Sequence, residues 1–220
     1  MLSSEILITE IPTLSKEDSI ETAIQWMDEF KVMHLAVTQG TQFLGLIHED
    51  LLLNLEDPSD KIGNHLNALV KTSVYENDHV FEVVKQVERF KLSLIPILSI
   101  KDQFLGVTTS SGLMQAIAEM PVVKNPGGII VMNLGEADYS MTEISRIVES
   151  NDAKILGSFI TRSFDENKFE LTLKINKINV QDIIQTFERF SYDITASYDQ
   201  SSSDDDLQDR YDNLMNYLNI

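Results

Sequence analysis

Residues 18–37 read Asp18-Ser19-Ile20-Glu21-Thr22-Ala23-Ile24-Gln25-Trp26-Met27-Asp28-Glu29-Phe30-Lys31-Val32-Met33-His34-Leu35-Ala36-Val37, and their chemistry returns further along the chain. Asp18-Ser19-Ile20, Ala23-Ile24, Met27, Phe30-Lys31 and Leu35-Ala36-Val37 recur sixty positions later as Asp78-His79-Val80, Val83-Val84, Val87, Phe90-Lys91 and Ile95-Pro96-Ile97. After a one-residue difference in the turn, Phe43-Leu44-Gly45-Leu46 returns as Phe104-Leu105-Gly106-Val107, sixty-one positions on. Self-similarity at a fixed period marks one structural unit used twice. The first repeat spans about residues 1–60 and the second about 61–120.

Each copy predicts the same elements. Asp18 and Asp78 are placed to cap helices whose apolar residues fall at helical spacing: Ile20, Ala23, Ile24 and Met27, then Val80, Val83, Val84 and Val87. A short apolar run, a polar turn (Thr38-Gln39-Gly40-Thr41 or Lys101-Asp102-Gln103) and a second apolar run through the glycine follow, the pattern of a β-hairpin. A further helix closes each copy, Leu51–Leu55 and Leu113–Met120.

This doubled order of helix, strand, strand, helix resembles a cystathionine-beta-synthase (CBS) domain pair over residues 1–120, carried by Phe30-Lys31 through Val37, Ile95-Pro96-Ile97 and the Phe-Leu-Gly hairpins. The resemblance implies a cleft for an adenine nucleotide (AMP, ADP or ATP) or S-adenosylmethionine, near Gly45, His48 and Asp50 in the first copy and Ile95, Pro96, Gly106 and Thr109 in the second. The family places Thr or Ser three residues after the hairpin glycine and Asp six after it. The second copy keeps Thr109 but has Gly112 at the sixth position; the first has His48 at the third, and Leu51 at the sixth with Asp50 one residue early. On a helix start one residue turns a side chain by about 100°, so Asp50 also reads as a first-turn carboxylate favoured by the helix dipole. Lys31, Lys61, Lys71, Lys91 and Lys124, the candidate phosphate partners, are scattered, and there is no Gly-rich phosphate loop.

Pro121-Val122-Val123-Lys124-Asn125-Pro126-Gly127-Gly128 ends a helix and starts a new unit, so a linker is expected over 121–127. Beyond it, Gly128–Leu134 reads as a buried strand, and Met141, Ile144, Ile147 and Val148 lie on one side of a helix. Lys154–Thr161 and the alternating Phe169–Ile175 flank the turn Asp165-Glu166-Asn167 as an antiparallel hairpin. A helix with Val180, Ile183, Ile184, Phe187 and Phe190 and a strand over Asp193–Tyr198 complete βαββαβ, a ferredoxin-like split βαβ, so the fold class is α+β.

Residues 128–198 in this order resemble the ACT domains of amino-acid-responsive regulators, whose ligand approaches the turn before the first helix. That turn here is Gly135-Glu136-Ala137-Asp138-Tyr139-Ser140. It makes Gly135, Asp138, Tyr139 and Ser140 the candidate ligand turn, with Asp138 or Ser140 also suited to cap the helix. In residues 199–220, Ser201-Ser202-Ser203-Asp204-Asp205-Asp206 precedes Leu207, Tyr211, Leu214, Met215 and Leu218 at helical spacing, predicting an acidic linker and a short amphipathic C-terminal helix.

Composition narrows the function. Of 220 residues, 17 are basic and 35 acidic, giving a net charge of −18 that repels polyanions and argues against nucleic acid or an anionic membrane as partner. No cysteine is present, which excludes disulfides, thiolate metal sites and a cysteine nucleophile. No basic n-region precedes an apolar run and no window reaches 18 uninterrupted apolar residues, so a soluble cytoplasmic protein is expected. His34, His48, His65 and His79 show no metal-ligand spacing, and no nucleophile elbow is present. The layout resembles stand-alone CBS/ACT regulators often labelled acetoin-utilisation (acetoin utilization) proteins. What it implies is a non-catalytic homodimer, without a bound metal, that changes shape or partner protein when a small-molecule effector binds. The competing reading is a constitutive scaffold whose ligand sites have degenerated, which Gly112 and Leu51 favour.

Overall fold

Ile20, Ala23 and Met27 bury one stripe of helix α1 (Ile20–Phe30), and Val80 and Val83 do the same for α3 (Val80–Phe90). Both helices stop at a lysine in the left-handed region, Lys31 (φ 54°) and Lys91 (φ 52°), whose amides close on the last turn. The aspartates expected to cap them sit one residue too early. Ser19 Oγ accepts from Thr22 N–H (3.2 Å) and His79 Nδ1 from Phe81 N–H (3.3 Å). Asp18 and Asp78 instead accept from the preceding turn, from Ser15 N–H (2.6 Å) and Tyr75 N–H (2.8 Å). A carboxylate just outside the helix reaches backwards more easily than over the first turn.

The computed structural model describes residues 1–165 and 168–199, and the chain divides after Ala118 into two compact units. In the first unit, strands β1 (His34–Gln39) and β2 (Gln42–His48) form one antiparallel hairpin. Strand β3 (Val74–Tyr75) runs parallel to β4 (Leu94–Leu98), which pairs antiparallel with β5 (Phe104–Thr109). Leu14 bridges Val37 in parallel, as Val74 does Ile97, so the repeat extends to the strand before each helix. The closing helices start earlier than expected, α2 at Glu49–Leu53 and α4 at Ser110–Ala118, because His48 and Thr109 cap them.

The opening segments of the two repeats are exchanged. Ile8 pairs with Val107 of the second hairpin (N···O 2.7 and 3.0 Å), and Val70 pairs with Leu46 of the first (2.9 Å in both directions). The hairpin glycines make room for these crossings. A Cβ on Gly106 would stand 2.5 Å from Ile8 O, and one on Gly45 2.6 Å from Leu69 Cβ. Phe43 and Phe104 stack at 6.4 Å, in equivalent places at the hairpin tips.

The second unit opens with a one-turn helix α5 (Pro121–Lys124) within the segment expected as linker. Strand β6 (Ile129–Gly135), helix α6 (Met141–Glu149), strands β7 (Ile155–Asp165) and β8 (Lys168–Ile175), helix α7 (Gln181–Arg189) and strand β9 (Asp193–Tyr198) follow. The sheet order is β7-β8-β6-β9 with every neighbouring pair antiparallel, the ferredoxin-like arrangement. Ile130, Met132 and Leu134 on β6 and Leu171, Leu173 and Ile175 on β8 point to one face, where Ile144, Ile147, Ile183 and Phe187 from the helices complete the core. The period-2 alternation on the strands and the helical stripes therefore meet in a single layer pair.

The predicted C-terminal helix and acidic linker, and Glu166-Asn167 of the expected turn, lie outside the described residues. Among the described residues no helix is long and apolar enough to cross a membrane.

Candidate functional site

The positions implied for a nucleotide cleft are largely engaged in local structure. Thr109 Oγ1 accepts from Gly112 N–H (3.0 Å) and shares a hydrogen bond with Ser111 Oγ (2.9 Å), which makes it the cap of α4. His48 Nδ1 accepts from Asp50 N–H (2.9 Å), while the Asp50 carboxylate reaches into solvent with its side chain 83% exposed. Ile95 and Pro96 are buried in β4, and Gly45 and Gly106 lie under the crossing segments.

The lysines have partners too. Lys31 pairs with Asp28 (2.8 Å), Lys61 with Glu17 (2.6 Å), Lys91 with Glu88 and Lys124 with Glu119. Lys71 instead lines a cavity of about 280 Å³ beside the first hairpin tip, with Phe43, Thr72 and Ser73.

His34 is the polar residue that the sequence reading passed over. It is 3% exposed, stands opposite His48 across the β1–β2 pair, and meets that ring edge-on at 4.4 Å. Its Nδ1 accepts from Ser93 N–H (3.2 Å) and lies 3.0 Å from Ser93 Oγ, which accepts from Met33 N–H (2.9 Å). Burial, with help from neighbouring His48, pushes the His34 pKa down to about 4, against an opposing pull from Asp50.

A histidine held neutral in the fold but titrating near 6.5 when unfolded stabilises the native state above that pH. As pH falls from 6.5 towards 4 the unfolded chain takes up a proton that the native chain refuses, and stability drops. Urea unfolding followed through Trp26, which lies in α1, is expected to show the first unit losing about 2 kcal/mol between these limits.

The second unit holds a cavity where its first strand gives way to its first long helix. Strand β6 ends at Gly135, one 3₁₀ turn covers Glu136–Asp138, and Ser140 caps α6 by accepting from Glu143 N–H (3.3 Å). Alongside, α7 gives way to Phe190, Ser191 in the left-handed region (φ 64°) and Tyr192, and β9 begins with Asp193 opposite Asn133. Between the junction and this turn is a cavity of about 470 Å³, with Asp138, Ser140, Glu143, Tyr192 and Asp193 on its wall.

Three of the polar side chains on this wall, Asp138, Glu143 and Asp193, are carboxylates. Tyr192 O–H donates to Glu143 Oε2 (3.1 Å), and burial, reinforced by that bond, pushes the phenol pKa up to about 12. Asn133 Nδ2 donates to Asp193 Oδ2 (3.1 Å), and its Oδ1 is buried without a donor. The carboxylates of Asp138, Glu143 and Asp193 on the wall can only accept, so the cavity favours a ligand that brings N–H or O–H groups.

Two of the four residues of the predicted turn, Asp138 and Ser140, line this cavity. Gly135 borders an adjoining recess of about 400 Å³ with Lys168, and Tyr139 turns edge-on to Phe169 at 5.2 Å. Sequence reasoning missed Asn133, Glu143, Tyr192 and Asp193. The signal for Asn133 and Asp193 was the βαββαβ order itself, which brings the end of the first strand beside the start of the last. Among the described residues no three His, Asp or Glu side chains cluster in a way that would hold a metal.

No protein-family model matches the chain. Among solved structures it is similar to a CBS domain pair/ACT domain protein from Thermotoga maritima, with 15% identity, 54% of this chain and 98% of that one covered, and a TM-score of 0.48. It is also similar to the CBS domains of a transcriptional regulator from Streptococcus pneumoniae (13% identity, 52% and 98% covered, TM-score 0.46). A third is the CBS domain of a bacterial CNNM/CorC family Mg2+ transporter in complex with ATP (16% identity, 54% and 87% covered, TM-score 0.44). These neighbours are CBS-domain proteins covering about half of this chain, and likeness at this level assigns neither a family nor a ligand.

Proposed function

We propose that the protein is a non-catalytic, ligand-responsive regulator, a CBS-type repeat pair joined to an ACT-like unit, and that its effector is a small amine-bearing metabolite such as a free amino acid. The observation that carries this reading is the cavity at the end of β6. Its wall carries three carboxylates, those of Asp138, Glu143 and Asp193. An ammonium group supplies N–H donors and positive charge to that wall together.

For the repeat pair, an adenine nucleotide or S-adenosylmethionine is the secondary effector, with Lys71 as its charged partner. The alternative reading, a constitutive scaffold, draws support from the same unit, because Thr109 and His48 are occupied as helix caps.

A thermal-shift screen of the full chain with free amino acids, AMP, ADP, ATP and S-adenosylmethionine separates these readings. A ligand that binds the folded state alone stabilises it by about 2.7 kcal/mol at a hundredfold excess over Kd. The expected result is a rise with an amino acid that Ala137→Phe, which fills the cavity, abolishes. A rise with a nucleotide alone, lost in Lys71→Ala, moves the effector to the first unit. No rise with any of these compounds leaves the scaffold.

A further inference from the structure

Met33 and Ser93 hold equivalent places in the two repeats, between the left-handed helix end and the first hairpin strand, and the repeats touch there. Each carbonyl is used alike: Met33 O accepts from Glu49 N–H and Ser93 O from Ser110 N–H, both at 2.9 Å. The amides are used differently. Met33 N–H goes to Ser93 Oγ (2.9 Å), whereas Ser93 N–H goes to the ring nitrogen of His34 (3.2 Å). The second repeat has Leu94 where the first has His34, so this bond has no counterpart in the other repeat.

An apolar residue would fill the same buried position, as Leu94 does with no exposure. Histidine there adds one thing, a contact between the repeats that depends on a proton. We propose that His34 is a proton-operated latch between the two repeats: neutral, it accepts the Ser93 amide and holds the junction shut; protonated, its Nδ1–H opposes the Ser93 N–H and can bond only Ser93 Oγ, so the amide is released.

Two titratable groups face the ring. His48 comes from β2, edge-on at 4.4 Å, and Asp50 from the first turn of α2. A charge on His34 meets repulsion from a charged His48, while the largely exposed Asp50 gives only partial compensation. The release also threatens the α2 cap, because the His48 ring that packs against His34 accepts from Asp50 N–H. Uptake of one proton therefore loosens the inter-repeat bond and a helix start together.

The test uses the full chain. Ring resonances of His34 are followed by NMR from about pH 7.5 to about pH 3.5, so that the window spans its pKa of about 4, alongside exchange protection of the Met33 and Ser93 amides corrected for the intrinsic chemical rate. Protection of both amides is expected to fall about tenfold or more over that range as the ring titrates, while amides of β8 hold theirs. In His34→Leu, which installs the residue of the second repeat, protection at Met33 should not depend on pH. Equal pH dependence in wild type and variant overturns the proposal. If the variant does not fold, the wild-type titration decides alone: a His34 ring that charges with no loss of protection at Ser93 is equally fatal.

Discussion

Gly106→Val is expected to cost the first unit about 3 kcal/mol or more and to lower its melting temperature by about 10–15 °C. A Cβ at this position meets the backbone oxygen of Ile8 at 2.5 Å and the Leu7 side chain at 3.1 Å. The Ile8 backbone cannot step aside, because it is tied to Val107 by hydrogen bonds in both directions. Accommodating valine therefore breaks two buried hydrogen bonds or distorts β5, either of which is costly. Trp26 fluorescence reads this transition in the first unit, since the chain has one tryptophan and it sits in α1. An unchanged midpoint would mean that the crossing segment is not bound as described.

Phe187→Ala is expected to destabilise the second unit by about 3–5 kcal/mol, the range for emptying a buried aromatic site. Phe187 has no exposure and meets the Tyr192 ring edge-on at 5.3 Å. Its loss leaves a void against β6 and β8 and frees Tyr192, whose hydroxyl fixes Glu143 on the cavity wall. The variant should therefore also weaken whatever ligand shift the wild type shows. Far-UV circular dichroism is expected to show the second unit melting early while the Trp26 transition stays in place. Phe187→Leu, which keeps most of the volume, should cost no more than about 1.5 kcal/mol.

What was legible in the sequence is what repeats locally. The stripes of α1 and α3, the two hairpins and the alternation of β8 are periodic within a few residues, so their elements were placed nearly correctly. The caps were misplaced by one residue because Asp18 and Ser19 both have capping chemistry and only the backbone decides which faces the helix. The crossings at Ile8 and Val70 left no periodic trace, being single-residue bridges to strands far along the chain. Gly45 and Gly106, which the sequence places by the implied cleft, have crossing protein segments as close neighbours.

The candidate cavity was half visible. Asp138 and Ser140 belong to a junction that sequence can locate, whereas Asn133 and Asp193 become neighbours only when β9 pairs with β6. His34 was hidden for a similar reason. A lone histidine beside Leu35-Ala36-Val37 reads as one more strand residue until Ser93, fifty-nine positions away, is brought against it.

The exchanged segments also set the order in which this chain can mature as it is made. Val107, the pairing partner of Ile8, is synthesised 99 residues after it. At about 5–20 residues per second the wait is of the order of 5–20 seconds. Until then the first hairpin can take its crossing strand from Val70 and its parallel neighbour from Leu14, but Ile8 has no strand to pair with. Neither repeat is thus a free-standing module, and dividing the gene between the copies should give two halves that fold only on meeting each other.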